Sequence, residues 1–194
     1  MQNYSGFFQN EWKNKRWSFL IGARVDKHNL VKNVIFSPRA NLRYNPTENI
    51  NLRLSYGSGF RAPQAFDEDL HITIASGERN VIVLADDLRE ERSNSFSLSA
   101  DIYQNFGSVM TNFLIEGFYT ELNNVFDLRK KSEQDEFSNV VWERYNASGA
   151  RVYGATLEGR IAFTPDLQLQ TGWTYQKSEH KEAVEWSETA ASEK

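Results

Sequence analysis

The 194-residue chain has no cysteine. A disulfide framework and a thiolate metal site are therefore excluded, and cysteine usage leaves the cellular compartment open. It has no run of about 18 consecutive apolar residues, so no membrane-spanning helix is encoded. It has no Lys/Arg block. Its 22 basic and 26 acidic residues are well mixed, for a formal net charge of −4, which argues against a nucleic-acid footprint. The first residues, MQNYSGFFQNEWKNK, lack the basic-then-apolar layout of a signal peptide. Averaged over a window, the hydropathy is that of a water-soluble chain. That average hides any signal that alternates residue by residue, as the strands of membrane barrels do.

Such alternation is what the chain has. From Ile50 the sequence reads INLRLSYGSGFRAPQ, with Leu52, Leu54, Tyr56 and Phe60 on one face and Asn51, Arg53 and Ser55 on the other. A period of two is a strand with one apolar and one polar face. The pattern recurs over Arg16 to Asp26, Arg39 to Asn45, Ser95 to Phe106, Tyr153 to Thr164 and Leu167 to Gln176, and Tyr4, Phe8 and Trp12 mark another strand at the start. Thr111 to Val125 departs from it. Phe113, Ile115 and Tyr119 alternate there, but Leu114, Phe118 and Leu122 make the opposite face apolar too. Packing on both sides, or a bulge, would account for that. The total is about eight strands, each near the ~10 residues that a tilted strand needs to cross a bilayer.

The connections alternate in length. Short turns fall at Asn14-Lys15, Asn45 to Asn49, Gly107-Ser108 and Thr164 to Asp166. They carry the Asn, Gly and Pro that turn geometry favours. Long polar connections fall at Lys27 to Ser37, Arg61 to Arg92, Arg129 to Val141 and from Ser178 onward. Aromatic residues (Trp12, Trp17, Tyr44, Phe60, Phe106, Phe163, Tyr175) sit near strand ends on the apolar face, where membrane barrels carry their interfacial girdles.

A soluble antiparallel sheet with one buried face predicts the same alternation. Three features favour the membrane. The strands exceed the ~5–6 residues usual in soluble domains. The polar face keeps Arg, Gln and Ser along whole strands, and the short–long rhythm holds through every hairpin. The expected fold is all-β: an antiparallel transmembrane β-barrel section of about eight strands, with short periplasmic turns and long outer loops.

The stretch SPRANLRYNPTENINLRLSYGSGFRAPQAFDEDL, Ser37 to Leu70, resembles the barrel of TonB-dependent outer-membrane receptors, especially those of Bacteroides-like bacteria. Pro38, Arg39, Asn41, Leu42 and Tyr44, a short turn, then Leu52, Arg53, Ser55, Tyr56, Gly59, Phe60, Arg61, Ala62 and Pro63 match the family pattern. RYNASGARVYGATLEGRI, with Asn146, Ala150, Gly154 and Glu158, is similar to a second family segment, and GFFQNEW to a third. The resemblance implies lipid on the apolar face and a lumen on the polar one. It implies that Gly57 and Gly59 permit close approach or bending where the strand leaves the sheet, and that Pro63 ends pairing because it has no N–H.

Resembling proteins carry a plug domain, a TonB-contacting box and a 22-stranded barrel. Neither plug nor box is found in residues 1–194, and the WSETAASEK terminus lacks the family's closing aromatic. The expectation is a partial barrel, a middle section of a receptor. Its implied partners are outer-membrane lipid, the remaining strands and plug of the parent, TonB through that plug, and a small-molecule ligand. The ligand would be an iron chelate, haem, cobalamin or a glycan. The implied location is the outer membrane of a Gram-negative bacterium. By itself the section would not transport.

Two readings of other classes stay open here: a complete eight-stranded barrel closed between the Tyr4 and Leu167 strands, and a soluble binding sheet. No nucleophile triad or phosphate loop is present, and no cofactor or enzymatic activity is implied. His28, His71 and His180 fall in expected outer loops and read as solvated rather than ligating. Asp67, Glu68, Asp69, Asp86 and Asp87 lack EF-hand spacing and read as solvated loop carboxylates. Asn146-Ala147-Ser148 fits a glycosylation acceptor by pattern alone. Arg53, Glu158 and Arg160 are expected to face the lumen. Which residues bind ligand is not encoded in any motif.

Overall fold

In the computed structural model, which describes residues 2–63, 80–134 and 140–181, nine strands form one sheet and no helix occurs among the described residues. The strands are β1 (Asn3–Lys13), β2 (Trp17–His28), β3 (Ile35–Thr47), β4 (Ile50–Arg61), β5 (Asn80–Leu84), β6 (Glu91–Phe106), β7 (Val109–Gln134), β8 (Val140–Thr164) and β9 (Leu167–His180). Neighbours run β1-β2-β3-β4-β6-β7-β8, all antiparallel. One edge of β8 pairs β7. Its other edge pairs β9 along Ala150–Thr164 and takes β5 in parallel along Val140–Arg144.

Register aligns the apolar positions across the sheet. One row joins Trp17, Tyr44, Leu52, Ala100, Ile115, Leu157 and Trp173; the next joins Phe19, Leu42, Leu54, Leu98, Gly117, Ala155 and Tyr175. The opposite face joins Arg43, Arg53, Ser99, Glu116, Thr156 and Thr174. There hydroxyls pair across strands, Ser95 with Thr120 at 3.0 Å and Thr156 with Thr174 at 3.1 Å. A one-residue slip would exchange the two faces, so the pattern and the register specify each other.

The apolar face is bare. Leu54 is 49% and Phe96 48% exposed, and the only buried apolar side chains among the described residues are Val31, Ile35, Pro63 and Ala150. A soluble sheet would gather Leu52, Leu54 and Phe96 into one dry interior, and this sheet does not. The closed eight-stranded barrel is also overturned. Among the described residues β1 pairs only β2 and β9 pairs only β8, so the sheet is open between them.

The tight turns have local causes. Asn14 Oδ1 accepts from the N–H groups of Arg16 and Trp17 at 2.9 and 2.8 Å. Gly107 adopts φ 63°, and Leu167 N–H donates to Thr164 Oγ1 at 3.1 Å. Aromatic pairs brace this end, with Trp17 stacked on Tyr44 at 4.0 Å and Trp12 on Phe19 at 5.9 Å.

Several expected boundaries are corrected. The Arg61 to Arg92 connection contains a strand, β5. Much of Arg129 to Val141 is strand, because β7 has 26 residues and β8 has 25, more than twice the ~9–11 that span a bilayer. Their hairpin therefore projects well past the sheet. Lys27 to Ser37 shortens to residues 29–34, and β9 continues to His180. β7 carries no register shift between Met110 and Asn123, so a bulge does not explain its second apolar face. Phe118 instead lies across Gly154. A Cβ there would stand 2.8 Å from the Phe118 ring and 2.1 Å from the Tyr175 carbonyl, so only glycine fits. Gly57 has nothing within 4 Å of such a Cβ, so close approach is not its role, whereas Gly59 does face Ser93 Oγ at 3.0 Å.

Leu54 lies midway along the apolar band of β4. Leu54→Arg is expected to destabilise the bilayer-folded protein by roughly 2–4 kcal/mol, and Ser97→Arg, on the polar face beside it, by less than about 1 kcal/mol. Equilibrium denaturant titration in lipid vesicles measures both, and equal losses would refute the assignment of faces.

Candidate ligand-binding site at the long-loop end

The ends of the strands opposite the tight turns hold two built polar segments. The β2–β3 connection folds back on its own strands. Asp26 is fully buried and accepts from Arg24 Nε at 2.9 Å and from Asn3 Nδ2 at 3.0 Å. Lys27 Nζ donates to the Lys32 carbonyl at 2.7 Å. His28, expected to be solvated, is buried. Its Nδ1 accepts from Leu30 N–H at 3.2 Å, because the connection turns back over it.

The segment between β5 and β6 is laid against the base of the β7–β8 hairpin, and one side chain holds it there. Asn146 Oδ1 accepts from Arg89 N–H at 2.7 Å, while Asn146 Nδ2 donates to the Arg89 carbonyl at 3.0 Å and the Asn124 carbonyl at 2.7 Å. A single amide thus satisfies three backbone groups that no ladder reaches. Glu91 adds a second tie. Its carboxylate accepts from Phe126 N–H at 2.6 Å and pairs with Arg61 at 2.6 Å, and the Arg61 guanidinium stacks 5.2 Å from the Phe126 ring. The hairpin leaves the sheet at this level through two left-handed residues, Asn124 at φ 56° and Gly149 at φ 125°. A Cβ on Gly149 would stand 2.2 Å from the Leu122 carbonyl, so glycine is required there.

Between these two built segments lies a cavity of about 520 Å³, lined by Val31, Lys32 and Asn33 from the first and by residues 86–90 from the second, with Arg92 and Asn124. β3 and β4 separate the parent strands, so the two connections reach toward each other across the ends of these strands. Lys32, Arg89 and Arg92 share the lining with Asp86, Asp87 and Glu90, and Arg92 is already paired with Glu90 at 2.8 Å. Net charge is balanced and hydrogen-bonding capacity is high, which suits a polar ligand of several oxygens.

Asp86 and Asp87 line this cavity, but no three His, Asp or Glu side chains converge on one point among the described residues. Asp67, Glu68, Asp69 and His71 lie outside the described residues. His180 is exposed at the end of β9. Arg53, Glu158 and Arg160 all take the polar face, where Arg160 reaches Gln170 at 3.4 Å. Asn146 is engaged in its amide clamp. Lys32, Asn33 and Arg89 escaped sequence reasoning, because a single polar side chain in a polar connection has no periodic or spaced signature.

Higher on the hairpin, Glu143 accepts from Arg129 Nε at 2.7 Å and meets Lys131 at 3.6 Å. The Arg129 hydrogen bond holds its carboxyl below the usual range, against the opposing effect of burial. A depressed carboxyl adds stability above its unfolded-state range, near pH ~4.3, and loses it as pH falls through the folded value. In Arg129→Gln the Glu143 midpoint should move up toward the ordinary range, read by carboxyl ¹³C shifts against pH. An unmoved midpoint would exclude Arg129 as the cause.

A family model described as TonB dependent receptor-like, beta-barrel, matches residues 1–192. Among solved structures the chain is similar to the FrpB iron transporter from Neisseria meningitidis (F3-3 variant), at 18% identity and TM-score 0.70, covering 91% of this chain and 25% of that one. It is similar to the siderophore receptor PirA from Pseudomonas aeruginosa, at 17% identity and TM-score 0.71, covering 91% and 34%. A third is the alcaligin outer membrane receptor FauA from Bordetella pertussis, at 18% identity and TM-score 0.59, covering 91% and 30%. The chain thus spans between 25% and 34% of the length of these structures. No curated protein matches it.

Proposed function

The chain belongs to the TonB-dependent receptor-like β-barrel family, and from that premise we propose that it is one arc of the wall of a receptor that takes up a scarce ligand across the outer membrane of a Gram-negative bacterium. The observation that carries this reading is the bare apolar face. A sheet with Leu54, Phe96, Leu98 and Trp173 half exposed and no dry core needs hydrocarbon to cover it. The open edges of β1 and β9 need further strands, since unpaired backbone groups cost several kcal/mol each in lipid. Residues 1–194 are then a partial barrel domain. Plug and TonB act through other parts of the parent, and this arc alone is not transport-competent.

An iron chelate is the ligand class this reading favours. The similar solved structures are described as an iron transporter and a siderophore receptor, and in the charge-balanced cavity Lys32 and Arg89 offer donors to an oxygen-rich ligand while Asp86 and Asp87 oppose its negative charge. The interior face supplies a wet wall of Arg, Ser and Thr along which such a ligand passes without meeting a continuous greasy surface.

The test uses the whole receptor and an anionic ferric catecholate. Lys32→Gln should weaken binding roughly ten-fold, the size of one lost charge-assisted hydrogen bond. Asp86→Asn with Asp87→Asn should tighten it. Fluorescence quenching on purified receptor gives both affinities, and values that move in neither variant would remove this cavity from ligand capture.

A further inference from the structure

On the apolar face at the long-loop end, aromatic side chains give way abruptly to charge. Tyr119 and Tyr153 are cross-strand partners with rings 6.4 Å apart, and Lys177 continues their row on β9. The next row is Glu121, Arg151 and Glu179. One step further, Lys181 N–H bonds the Gly149 carbonyl at 3.0 Å beside Asn123. The side chains stay on this face. Tyr153 OH donates to Glu179 Oε1 at 3.2 Å, and Lys181 Nζ meets Glu121 at 2.6 Å and Asn123 Oδ1 at 2.7 Å. At the opposite end of the same face, the outermost strand positions include Trp12, Trp17, Tyr44, Ile50, Phe106, Val109, Phe163 and Leu167, with no cation among them.

We propose that Arg151, Lys177 and Lys181 form a docking surface for the phosphate of an anionic lipid in the outer leaflet. Height supports it. Each step of two residues advances roughly 7 Å along a strand, or roughly 5 Å vertically at a tilt near 45°. The headgroup layer beyond the hydrocarbon is roughly 5–8 Å deep on each side. A tyrosine row at the hydrocarbon boundary therefore places Lys177 at that boundary, Arg151 inside the headgroup layer and the Lys181 backbone just outside it, within reach of its long side chain.

Internal pairing does not exhaust the patch. Three cations share two carboxylates, Glu179 serving Arg151 at 2.6 Å and Lys177 at 2.5 Å, and the Arg151 and Lys177 side chains are each 52% exposed. The carboxylates hold the cations in one place, and the outward donors stay open to a third anion. The inference rests on the membrane placement of the apolar face and not on the uptake reading, so it stands or falls apart from ligand capture.

The experiment is native mass spectrometry of the whole detergent-solubilised receptor, titrated with phosphatidic acid, a phosphomonoester lipid, and separately with phosphatidylcholine. Retained phosphatidic acid adducts are expected, with phosphatidylcholine at least five-fold weaker. The Arg151→Gln, Lys177→Gln, Lys181→Gln variant should lose at least five-fold in phosphatidic acid affinity, at roughly five-fold per cation as an upper scale. Lys15→Gln with Arg16→Gln, at the tight-turn end, should not. Glu121→Gln with Glu179→Gln should gain, which keeps the test decisive if the triple variant folds poorly. Equal binding of both lipids, full retention in the triple variant, or a loss in the Glu pair overturns the proposal. Displacement by millimolar inorganic phosphate overturns it in favour of a soluble-anion site.

Discussion

In hydrocarbon, a backbone N–H or C=O without a partner costs several kcal/mol, and everything in this molecule answers to that penalty. Each strand from β2 to β8, β5 aside, is paired along both edges for most of its length, by registers that shift only near strand ends or in the projecting hairpin. Once pairing is satisfied by neighbours, the side chains need only sort by face. One face can then be Leu, Phe and Trp and the other Arg, Ser and Thr with no core between. At the long-loop end, side-chain bonds from Asp26, Asn146 and Glu91 add to the ladder.

Within the bilayer band the chain announces its fold, because lipid imposes a strict contrast between adjacent residues. Leu52, Leu54 and Tyr56 against Arg53 and Ser55 could be read directly, and the register confirms it. Beyond the band that contrast is gone. Asp127, Arg129 and Lys131 occupy the same face of β7 as Tyr119 and Ile115, yet they are charged, because water and not hydrocarbon meets them there. The strand continues while its signal vanishes, so the hairpin's length was hidden. β5 was hidden for another reason. NVIVL does not alternate, and its parallel partner Val140–Arg144 lies far along the chain. His28 was misread because burial by a returning connection is a tertiary event.

The second family-like segment gains a physical meaning residue by residue. Asn146 supplies an amide that bonds three backbone groups. Ala150 is buried, and Gly154 leaves room for the Phe118 ring and the Tyr175 carbonyl. Glu158 faces the wet side. Spacing of four along a strand keeps all four on one face, the interior one. The motif is thus a column of interior positions running from the headgroup level toward the tight turns. Gly149, between Asn146 and Ala150, is as strictly required by its φ, but no expectation from sequence singled it out.

That column also ties two of the outer connections to each other. β5 adds to the edge of β8 just above the level where β9 ends, so the stretch of β8 beyond the sheet is not left bare. The return path from β5 to β6 must then cross β8 and β7, and Asn146 and Glu91 fasten it at each crossing. A displacement of the β4–β6 connection therefore pulls on the β7–β8 hairpin through Arg89 and Phe126. The cavity between Lys32 and residues 86–90 has one wall on this fastened unit and the other on the β2–β3 connection, which is anchored separately by Asp26.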